Sequence, residues 1–572
     1  MANLSQQKRQ RMLEFIDKIR EEHKDDDEML IALGEIENEL NSKKYGLVWE
    51  EHSEEVEEQM KSNIPVFTED KDMEIVSDET MPFNFLLEGD NLHSLKLLEK
   101  THKGKIDVIY IDPPYNTESK DFVYDDRKIG SDDAYRHSMW ISFMNRRLQI
   151  AKRLLVEQGV IFISIDNNEY ANLKLLCDQI FGENNFVTTI HVELSATQGM
   201  KVKAAKMGNV VKNGEYILVY SKDGHKNIAI NALYDHRPDY DNHYIKYLSE
   251  TNDVENLKDV FNDRYPNDKI SSVVDAYQNN KKFKRFVEEN LDRIFRYDKT
   301  TGFNPEDFEF GKVTTLFKNG RKYVLQRKTT SVEQLMFLSD SYGQCNDFKK
   351  SYGLRKIRGD WWKEFYLDMG NVSKEGNVVF TNGKKPLRLV QQLIHMVTSG
   401  NEIVLDFFAG SGTTGHAVLK LNQEDGGNRK FILCTNNENN ICEEITYERI
   451  KRVINGYGDV EGIPANLKYY RTNFVSKDAE DVSDELLKHI KEMIQLEHGI
   501  QVDGSNYLIL LTDEDADELE LKWDEYSEIK ALYVSRNVLF TSKQNALFAN
   551  VEVHIIPDDY FKFELQEVGE AW

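Results

Sequence analysis

The feature that most constrains the fold of this chain is a series of short apolar segments rich in β-branched residues. Two of them are Ile106–Ile111 and Val160–Ile165. Between them, apolar residues recur at helical spacing from Trp140 to Leu154. Parallel strands need a crossover of this kind, and strands that are buried on both faces appear as continuous apolar runs. The alternation therefore predicts an α/β fold whose mostly parallel sheet is covered by helices on both faces.

The same pattern divides the 572 residues into regions. Strands and helices begin to alternate near residue 81, and the alternation is lost between about 223 and 375. We predict five units: an N-terminal helical arm and linker (1–80), a first core segment (81–222), an inserted domain with irregular loops (223–375), a second core segment (376–470) and a small acidic α/β domain (471–572).

The two terminal regions carry weaker signals. Residues 5–40 have apolar residues at helical spacing, whereas residues 48–80 are acidic and weakly periodic, as in a linker or an extended arm. Within the last region, we expect short strands near residues 506–512, 531–535 and 551–556.

Composition bounds the cellular setting. No apolar run approaches the roughly 20 residues that a membrane-spanning helix needs, and the first residues lack the apolar core of a signal peptide. The four cysteines form no C-x-x-C pair, which argues against a zinc knuckle or a disulfide framework. We therefore expect a soluble intracellular protein with reduced, mostly buried thiols.

The net charge of −26 opposes the binding of nucleic acid, but the charge is unevenly distributed. Residues 1–80 carry 23 acidic and 10 basic side chains, and residues 471–572 carry 23 and 9, so residues 81–470 are close to neutral. Three lysine and arginine clusters in this middle section favour a surface that follows phosphates. The candidate DNA-binding residues are Lys201, Lys203, Lys206, Lys322, Arg327, Lys328, Arg355, Lys356 and Arg358.

The most informative motif is Asp112-Pro113-Pro114-Tyr115, which directly follows the predicted strand Ile106–Ile111. In open parallel sheets, ligands bind beyond the carboxyl ends of strands. Two prolines make the turn rigid and remove two N–H donors, so a carbonyl and the Asp112 carboxylate can face outward as neighbouring acceptors. This pair suits an exocyclic amino group, and Tyr115 offers a flat face on which a base can stack. The alternative is a plain rigid loop.

A second motif, Asp406–Gly415, follows the predicted strand Ile403–Leu405. Its small residues let a ligand approach the backbone closely, and the N-terminus of the following helix offers N–H donors. The G-x-G-x-x-G spacing within the motif also satisfies the dinucleotide fingerprint. His416 stands where a P-loop carries its phosphate-binding lysine, which excludes a nucleotide triphosphatase of that type.

Three acidic residues bear on the identity of the ligand. Glu438 lies 23 residues beyond Gly415, near the position of a ribose-binding acid, so the glycine motif alone fits both NAD and S-adenosylmethionine. Asp406 favours S-adenosylmethionine, because it can accept from a cationic amino group and is poorly placed beside a pyrophosphate. Asp90 can accept from an adenine of the cofactor, or it can cap the next helix.

Together these motifs resemble those of the β class of DNA amino-methyltransferases, in which a DPPY motif precedes an FxGxG motif. The resemblance covers about residues 81–450. The segments that are similar to the Mod subunit of Type III restriction-modification systems are Asp112–Thr117, Trp140–Met144, Lys385–Leu387 and Asp406–Gly415.

The resemblance implies a Rossmann-like methyltransferase core with a mostly parallel seven-stranded sheet, a circularly permuted motif order and a target-recognition domain in residues 223–375. It implies a site-specific adenine-N6 methyltransferase that uses S-adenosyl-L-methionine and no metal, and that acts on double-stranded DNA in the prokaryotic cytoplasm, at the nucleoid. Such proteins usually form homodimers and can join a restriction subunit that carries the helicase and nuclease.

The resemblance also implies roles for the matching residues. Asp112, Pro113, Pro114 and Tyr115 would form the catalytic site that holds a flipped adenine. The polar pair Asn436-Asn437 departs from the usual strand end, which leaves open the residue that holds the ribose. The implied cofactor-binding residues are Asp90, Asn116, Lys385, Pro386, Asp406, Phe408, Ala409, Gly410, Ser411, Gly412, Thr413, Thr414 and Glu438.

Other functions remain compatible with parts of the sequence. An NAD-linked oxidoreductase would share the glycine motif but would leave Asp112–Tyr115 and the basic clusters unexplained. A non-catalytic DNA-binding or scaffold subunit would not need both motifs intact. Nearer alternatives are an N4-cytosine target, an RNA substrate, and a stand-alone methyltransferase of the orphan or Type II kind.

Overall fold

The computed structural model of the chain describes residues 4–24, 26–41, 49–117, 136–196, 200–224, 228–380, 383–526 and 529–570. The helices are α1 (Leu4–Glu22), α2 (Asp27–Asn41), α3 (Glu55–Ser62), α4 (Asn91–His102), α5 (Arg136–Leu154), α6 (Tyr170–Phe181), α7 (Met200–Lys206), α8 (Leu257–Arg264), α9 (Val273–Asn279), α10 (Lys281–Glu289), α11 (Tyr366–Met369), α12 (Leu387–Val397), α13 (Thr413–Asp425), α14 (Glu448–Asn455), α15 (Val482–Leu487), α16 (Ile490–His498), α17 (Asp513–Leu521), α18 (Ser542–Leu547) and α19 (Asp558–Glu567). The strands are β1 (Asn63–Glu69), β2 (Phe83–Glu88), β3 (Ile106–Ile111), β4 (Leu155–Ile165), β5 (Phe186–Glu193), β6 (Gly214–Ser221), β7 (Tyr234–His236), β8 (Lys246–Leu248), β9 (Val254–Asn256), β10 (Ile294–Lys299), β11 (Val313–Lys318), β12 (Arg321–Arg327), β13 (Val332–Phe337), β14 (Tyr342–Gln344), β15 (Tyr352–Ile357), β16 (Trp361–Trp362), β17 (Ile403–Asp406), β18 (Lys430–Thr435), β19 (Asn466–Ser476), β20 (Tyr507–Leu510), β21 (Ala531–Ser535) and β22 (Glu552–Ile556).

The largest sheet confirms the α/β fold. Its strand order is β1-β19-β2-β18-β17-β3-β4-β6-β5-β16. The strands from β19 to β4 are parallel to one another, and β6 is antiparallel to both β4 and β5. The apolar residues of β3 and β4 pack into two hydrophobic cores, one on each face of the sheet. The burial of both faces explains why these strands appear as continuous apolar runs in the sequence.

The sheet has ten strands, whereas the resemblance implies seven. The seven strands from β2 to β5 form one uninterrupted block, and the additional strands lie at its edges. At one edge, β19 pairs in parallel with β2, and β1 then pairs antiparallel with β19. At the other edge, the two-residue strand β16 pairs in parallel with β5.

The edge strand β1 corrects the expectation of a linker or an extended arm in residues 48–80. It forms seven consecutive pairs with β19, from Asn63 opposite Ser476 to Glu69 opposite Tyr470. The side chains of Ile64, Val66 and Phe67 are completely buried. The apolar run Ile64–Phe67 has only four residues, which is too short for its periodicity to indicate a strand within an acidic segment.

The inserted region is more regular than the sequence suggests. It contains a six-stranded sheet of order β11-β12-β13-β10-β8-β9 and a three-stranded sheet of order β14-β15-β7. The helices α8, α9 and α10 pack around a separate hydrophobic core that includes Phe261, Phe283 and Phe286. The insertion starts after β6 and ends at β16, so the chain leaves and rejoins the main sheet near one edge, two strands apart.

The C-terminal region has the three strands that the sequence predicts. They form a parallel sheet of order β20-β21-β22, with a small core of its own on one face. All four cysteines are buried and unpaired, as expected. None of the helices in the described ranges is long and apolar enough to cross a membrane.

Candidate active site

The sheet topology brings the sequence motifs to one edge. The neighbouring parallel strands β2, β18, β17 and β3 end beside one another, and they are followed by Asp90, Glu438, the glycine motif and Asp112, respectively. A backbone hydrogen bond joins the glycine motif to the end of β18, since the Ala409 N–H donates to the Cys434 carbonyl at 3.1 Å. The motifs thus lie together at the carboxyl ends of the strands, where open parallel sheets bind their ligands.

Four polar side chains meet directly beyond β3, and we call Asp112, Tyr115, Glu215 and Lys385 the Asp112 cluster. The Tyr115 hydroxyl lies 2.8 Å from Asp112 Oδ1 and 3.0 Å from Glu215 Oε2. Lys385 Nζ donates to the Tyr115 oxygen at 2.7 Å and lies 3.0 Å from Asp112 and 3.1 Å from Glu215. The cluster therefore places an ammonium and a hydroxyl as donors on one Asp112 oxygen.

The electrostatics of the cluster separate its two carboxylates. Burial raises the pKa of Asp112, and the Lys385 ammonium offsets only part of this effect. Burial acts in the same direction on Glu215, but Lys385, Tyr115 and Lys212 outweigh it and lower the pKa of that carboxyl. Burial disfavours the ammonium of Lys385, yet the two carboxylates together raise its pKa above the ordinary value. Asp112 is thus a stronger base than an ordinary aspartate, and Glu215 is a weaker base than an ordinary glutamate.

The resemblance assigns Lys385 to the cofactor site, and Glu215 is not among the residues that the sequence predicts. The structure places the Lys385 ammonium at Asp112 instead, so a contact of that residue with the cofactor remains a prediction. Glu215 is brought to Tyr115 by the antiparallel pairing of β6 with β4. Its only signal in the sequence is a carboxylate at the start of an otherwise apolar strand, Gly214–Ser221.

The turn that carries Asp112 and Tyr115 is held from behind. The Trp140 indole N–H donates to the Pro114 carbonyl at 2.7 Å. Asn116 has a positive φ of 55°, and its side chain donates to the completely buried carboxylate of Glu169 at 2.5 Å. These contacts fix the turn at both ends. Asn116 therefore supports the turn that carries Asp112 and Tyr115, and its contact with the cofactor remains a prediction.

The glycine loop, Phe407–Gly412, wraps around the carboxylate of Asp406. This carboxylate accepts from the Phe408 backbone N–H at 2.9 Å and from the Thr414 hydroxyl at 2.5 Å. Gly412 has a φ of +72°, which only glycine adopts without strain, and it precedes the first turn of α13. Burial raises the pKa of Asp406 to about 7. A cationic ligand that binds here would stabilise the ionised form of this carboxyl and be attracted to it.

Arg449 of α14 is completely buried beneath the glycine loop. Its guanidinium donates to the Thr413 hydroxyl at 2.7 Å and to the Ser411 carbonyl at 3.3 Å, and it lies 3.6 Å from the Glu375 carboxylate. Glu375 accepts in turn from the backbone N–H of Leu387 at 3.0 Å. Arg449 thus links the glycine loop to the start of α12, directly after Lys385-Pro386.

We expect Arg449→Met to lower the free energy of unfolding by about 3–5 kcal/mol, because it leaves the partly buried Glu375 carboxylate without its cation. Denaturant unfolding would measure this loss. In a Glu375→Gln background, the same substitution should cost at least about 0.5 kcal/mol less, because the two side chains are coupled. Equal costs in the two backgrounds would contradict the link.

Asp90 begins α4, and its carboxylate accepts from the Leu92 backbone N–H at 2.7 Å. The structure thus confirms the capping role. Arg147, which is completely buried, also approaches Asp90 at 3.3 Å and lies 3.7 Å from the centroid of the Phe143 ring. This ring contacts Phe408 of the glycine loop, with 5.9 Å between centroids. A contact between Asp90 and a cofactor adenine stays a prediction.

Glu438 is exposed at the start of a short 3-10 helix, Glu438–Asn440, directly beyond β18. The side chain of Asn437 accepts from the backbone N–H of Cys442 at 3.1 Å and so closes the turn. This explains the polar strand end. Glu438 lies where a ribose-binding acid is expected, and that role is untested.

The candidate DNA-binding residues fall into two groups. Lys203 and Lys206 are exposed on α7, Lys322 is exposed on β12 and Lys356 is exposed on β15. Lys201 lies on α7, and its side chain is outside the described part of the chain. The remaining candidates make contacts within the protein: Arg327 to the Phe308 carbonyl, Lys328 to the Tyr297 ring, Arg355 to the Tyr234 ring and Arg358 to Asp235.

Arg358 differs most from the expectation of a phosphate-binding surface. Its side chain is buried, and its guanidinium donates to Asp235 at 2.6 Å and to Gln392 of α12 at 2.6 Å. These partners use the donors that a phosphate would need. The structure therefore places Arg358 at the junction of the insertion and the core.

The sequence of this chain is similar to those of known DNA methyltransferases. The family profile of the N6/N4 DNA methylases matches residues 106–448. The StyLTI Mod subunit of a Type III restriction-modification enzyme from Salmonella typhimurium (strain LT2) is 32% identical over 438 residues, which cover 68% of this chain and 60% of that protein. The Type II methyltransferase M.KpnI from Klebsiella pneumoniae is 31% identical over 401 residues, which cover 68% of this chain and 87% of that protein. A solved structure, the cytosine-N4-specific PvuII DNA methyltransferase, aligns with 66% of this chain and 89% of its own at 12% identity, with a TM-score of 0.30.

These matches differ in how much of the known protein they include. This chain spans between 52% and 65% of the length of four Mod subunits that it matches. The family profile covers more than half of the chain, from β3 to the start of α14, and so includes both the Asp112 turn and the glycine loop. This chain therefore belongs to the family of N6/N4 DNA methylases.

Proposed function

We propose that this protein transfers a methyl group from S-adenosyl-L-methionine to the N6 amino group of adenine in double-stranded DNA. The observation that carries the proposal is the hydrogen bonding of Asp112. In the free protein, one oxygen of this carboxylate already accepts from the Tyr115 hydroxyl and lies within reach of the Lys385 ammonium. The site is thus built to receive N–H and O–H donors, as an exocyclic amine requires.

The residues of the glycine loop fit the methyl donor. Asp406 is a buried carboxylate suited to an ammonium group, and Gly412 keeps the backbone free of a side chain where a ligand approaches. Asp406, Phe408–Thr414, Glu438 and Asp90 would hold S-adenosylmethionine, which supplies an electrophilic methyl group when bound. The contribution of these residues to the displacement is to position the two reactants.

The amine must be activated, because its lone pair is delocalised into the adenine ring and is a poor nucleophile. We propose that Asp112 and the Pro113 carbonyl accept the two amino hydrogens, which draws the lone pair out of conjugation and directs it at the methyl group. The N6 atom cannot be reached inside a duplex, so the adenine is extruded at a cost of a few kcal/mol. Stacking on Tyr115 would offset part of this cost.

The target base must first open the Asp112 cluster. The Tyr115 side chain is only 7% exposed, and Lys385 Nζ lies 4.8 Å from the centroid of its ring. An adenine that stacks on this ring therefore displaces the Lys385 ammonium, and its own amine takes over the hydrogen bond to Asp112. Glu215 remains within reach of the displaced ammonium.

We further propose that the chain is the modification and site-recognition subunit of a Type III restriction-modification system, in the bacterial cytoplasm at the nucleoid. Its similarity to Mod subunits supports this assignment. A homodimer and a restriction subunit as partner belong to the same proposal. The alternative is a stand-alone Type II or orphan methyltransferase, which the match to most of the length of M.KpnI favours. An N4-cytosine target is the chemical alternative.

Expression in a methylation-free host would test the proposal. Genomic DNA would be sequenced by a long-read method that detects modified bases, with an Asp112→Ala strain as the control. We expect N6-methyladenine on one strand of a short asymmetric site, absent from the control. Methylation of both strands of a palindrome would keep the chemistry and remove the Type III assignment, N4-methylcytosine would change the target, and no methylation despite folding and cofactor binding would contradict the proposed activity.

A further inference from the structure

We propose that Tyr115 and Glu215 form a proton-release relay that carries the proton of the methylated amine from Asp112 to solvent. This inference rests on the proposed methyl transfer. It assigns to Glu215 a role in the reaction, and it gives the Tyr115 hydroxyl a function that is separate from the stacking of its ring.

The reaction requires such a path. The amino nitrogen has two hydrogens, and after it gains a methyl group it bears a positive charge and must lose one proton. Asp112 is the acceptor nearest to that nitrogen in the proposed complex. A buried carboxylate that keeps this proton is neutral and cannot accept from the next amine, so each turnover must also clear the proton from Asp112.

The Tyr115 hydroxyl bridges two carboxylates, and this geometry is the basis of the proposal. It lies 2.8 Å from Asp112 and 3.0 Å from Glu215, yet a hydroxyl has one proton to donate. The phenol therefore donates to one carboxylate at a time. The other carboxylate either goes without this hydrogen bond or carries a proton of its own. In this structure Lys385 Nζ donates to the phenol oxygen at 2.7 Å, which leaves the phenol proton free to point to either carboxylate.

Glu215 lies at the exit of this path. It lines a cavity of about 480 Å³ together with Asn167, His191, Lys212, Asn213 and Trp361. Its side chain is 26% exposed, whereas Tyr115 is buried. The Trp361 ring lies over His191 and is 57% exposed, so the cavity opens at the surface. Water in this cavity can take the proton from Glu215.

The charged groups around the two carboxylates act on both ends of this path. Lys385 faces both, and Lys212 faces Glu215 from the segment before β6 while pairing with Asp166 at 2.7 Å. Tyr110 of β3 also faces the pair, and its hydroxyl bonds to Ser164 at 3.0 Å. Asp112 has a raised pKa and Glu215 a lowered one, so the step between them costs free energy, and the ready loss of the proton from Glu215 to water draws it forward.

The relay moves one proton from the amine to solvent without net change in the protein. The N–H bond of the methylated amine breaks, and its proton forms an O–H bond on Asp112. Asp112 passes this proton to the phenol oxygen while the phenol proton moves to Glu215, and Glu215 loses it to water. One proton leaves for each methyl group transferred, and both carboxylates and the phenol return to their starting states.

Glu215→Gln and Tyr115→Phe test the relay, because each removes one step and the second keeps the aromatic ring. The substrate would be genomic DNA from a methylation-free host with a radiolabelled methyl donor. We expect each variant to lower kcat by roughly 10²-fold, at the low end of the effect of positioned proton transfer. The KM for DNA and the Kd for S-adenosylmethionine should stay within twofold. The double variant should fall no further than either single one, because both act on one path.

Glu193→Gln is the matched control, since this carboxylate lines the same cavity from β5 without touching Tyr115. The relay needs Glu215 ionised, so the kcat of the wild type should rise with pH as this carboxyl loses its proton. Glu193→Gln should leave kcat and this rise unchanged, whereas Glu215→Gln should remove the rise. A Glu215→Gln enzyme with wild-type kcat, or multiplicative losses in the double variant, would overturn the relay while the methyltransferase assignment stands. A folded wild-type protein that methylates no DNA would overturn both.

Discussion

Replacing Asp112 by alanine is expected to reduce methyl transfer by at least about 10³-fold, the effect of losing a preorganised group at the reacting centre. The carboxylate is the acceptor on which the Tyr115 hydroxyl and the Lys385 ammonium converge. Without it, only the Pro113 carbonyl is left to accept an amino hydrogen, and the amine lone pair stays largely in conjugation. Single-turnover transfer of a labelled methyl group to DNA would measure the loss.

The matched variant is Asp112→Asn, which keeps the shape and one acceptor oxygen. It should retain more activity than Asp112→Ala, because the amide still accepts one hydrogen bond. Both variants should bind DNA and S-adenosylmethionine as the wild type does. Loss of DNA binding by a folded Asp112→Ala protein would contradict a role confined to the reacting amine.

The affinity for S-adenosylmethionine is expected to fall as the pH falls below about 7, and Asp406→Asn is expected to remove this dependence. Burial raises the pKa of Asp406 to about 7, so the free protein is increasingly protonated at lower pH. A cationic amino group prefers the ionised form, and binding must then expel the proton. Each pH unit below 7 should therefore cost up to about 1.4 kcal/mol, or tenfold in Kd.

Calorimetric titration between pH 5.5 and 8.5 would measure this dependence. At pH 8 we expect Asp406→Asn to weaken binding by roughly 10- to 10²-fold, from the loss of a charge-assisted hydrogen bond of about 1.5–3 kcal/mol. Glu375→Gln is the control, because burial raises the pKa of Glu375 to about 7 as well and this residue lies behind the loop. A dependence that vanishes in Glu375→Gln and persists in Asp406→Asn would reassign the titrating group.

The parts of the site that the sequence predicts are those with local signals. The turn at Asp112 and the loop after Asp406 each follow an apolar strand directly, and strand direction alone then places them at one edge of the sheet. Glycine at 412 is likewise a local requirement, since the backbone there has a positive φ. Residues of this kind are recognisable because their neighbours in sequence are also their neighbours in space.

The residues that the sequence analysis did not identify act across long separations in sequence. Glu215 reaches Tyr115 across 100 positions, and Arg449 reaches Ser411 across 38. A lone glutamate at a strand start and a lone arginine on an amphipathic helix have ordinary structural roles in most proteins. Only the packing of α14 beneath the glycine loop and the pairing of β6 with β4 give them their partners.

The attachment of the inserted region near one edge of the main sheet affects how freely this region can change in evolution. Its strands are not inserted into the block of seven strands from β2 to β5. A different insertion would therefore leave the hydrogen bonds of this block, and the site at its edge, intact. Change is restrained where the insertion contacts α12. There Arg358 donates to Gln392, and the Asn346 carbonyl accepts from Arg388 and Gln392. An insertion that keeps these few contacts can therefore differ between relatives without altering the arrangement of the Asp112 cluster and the glycine loop.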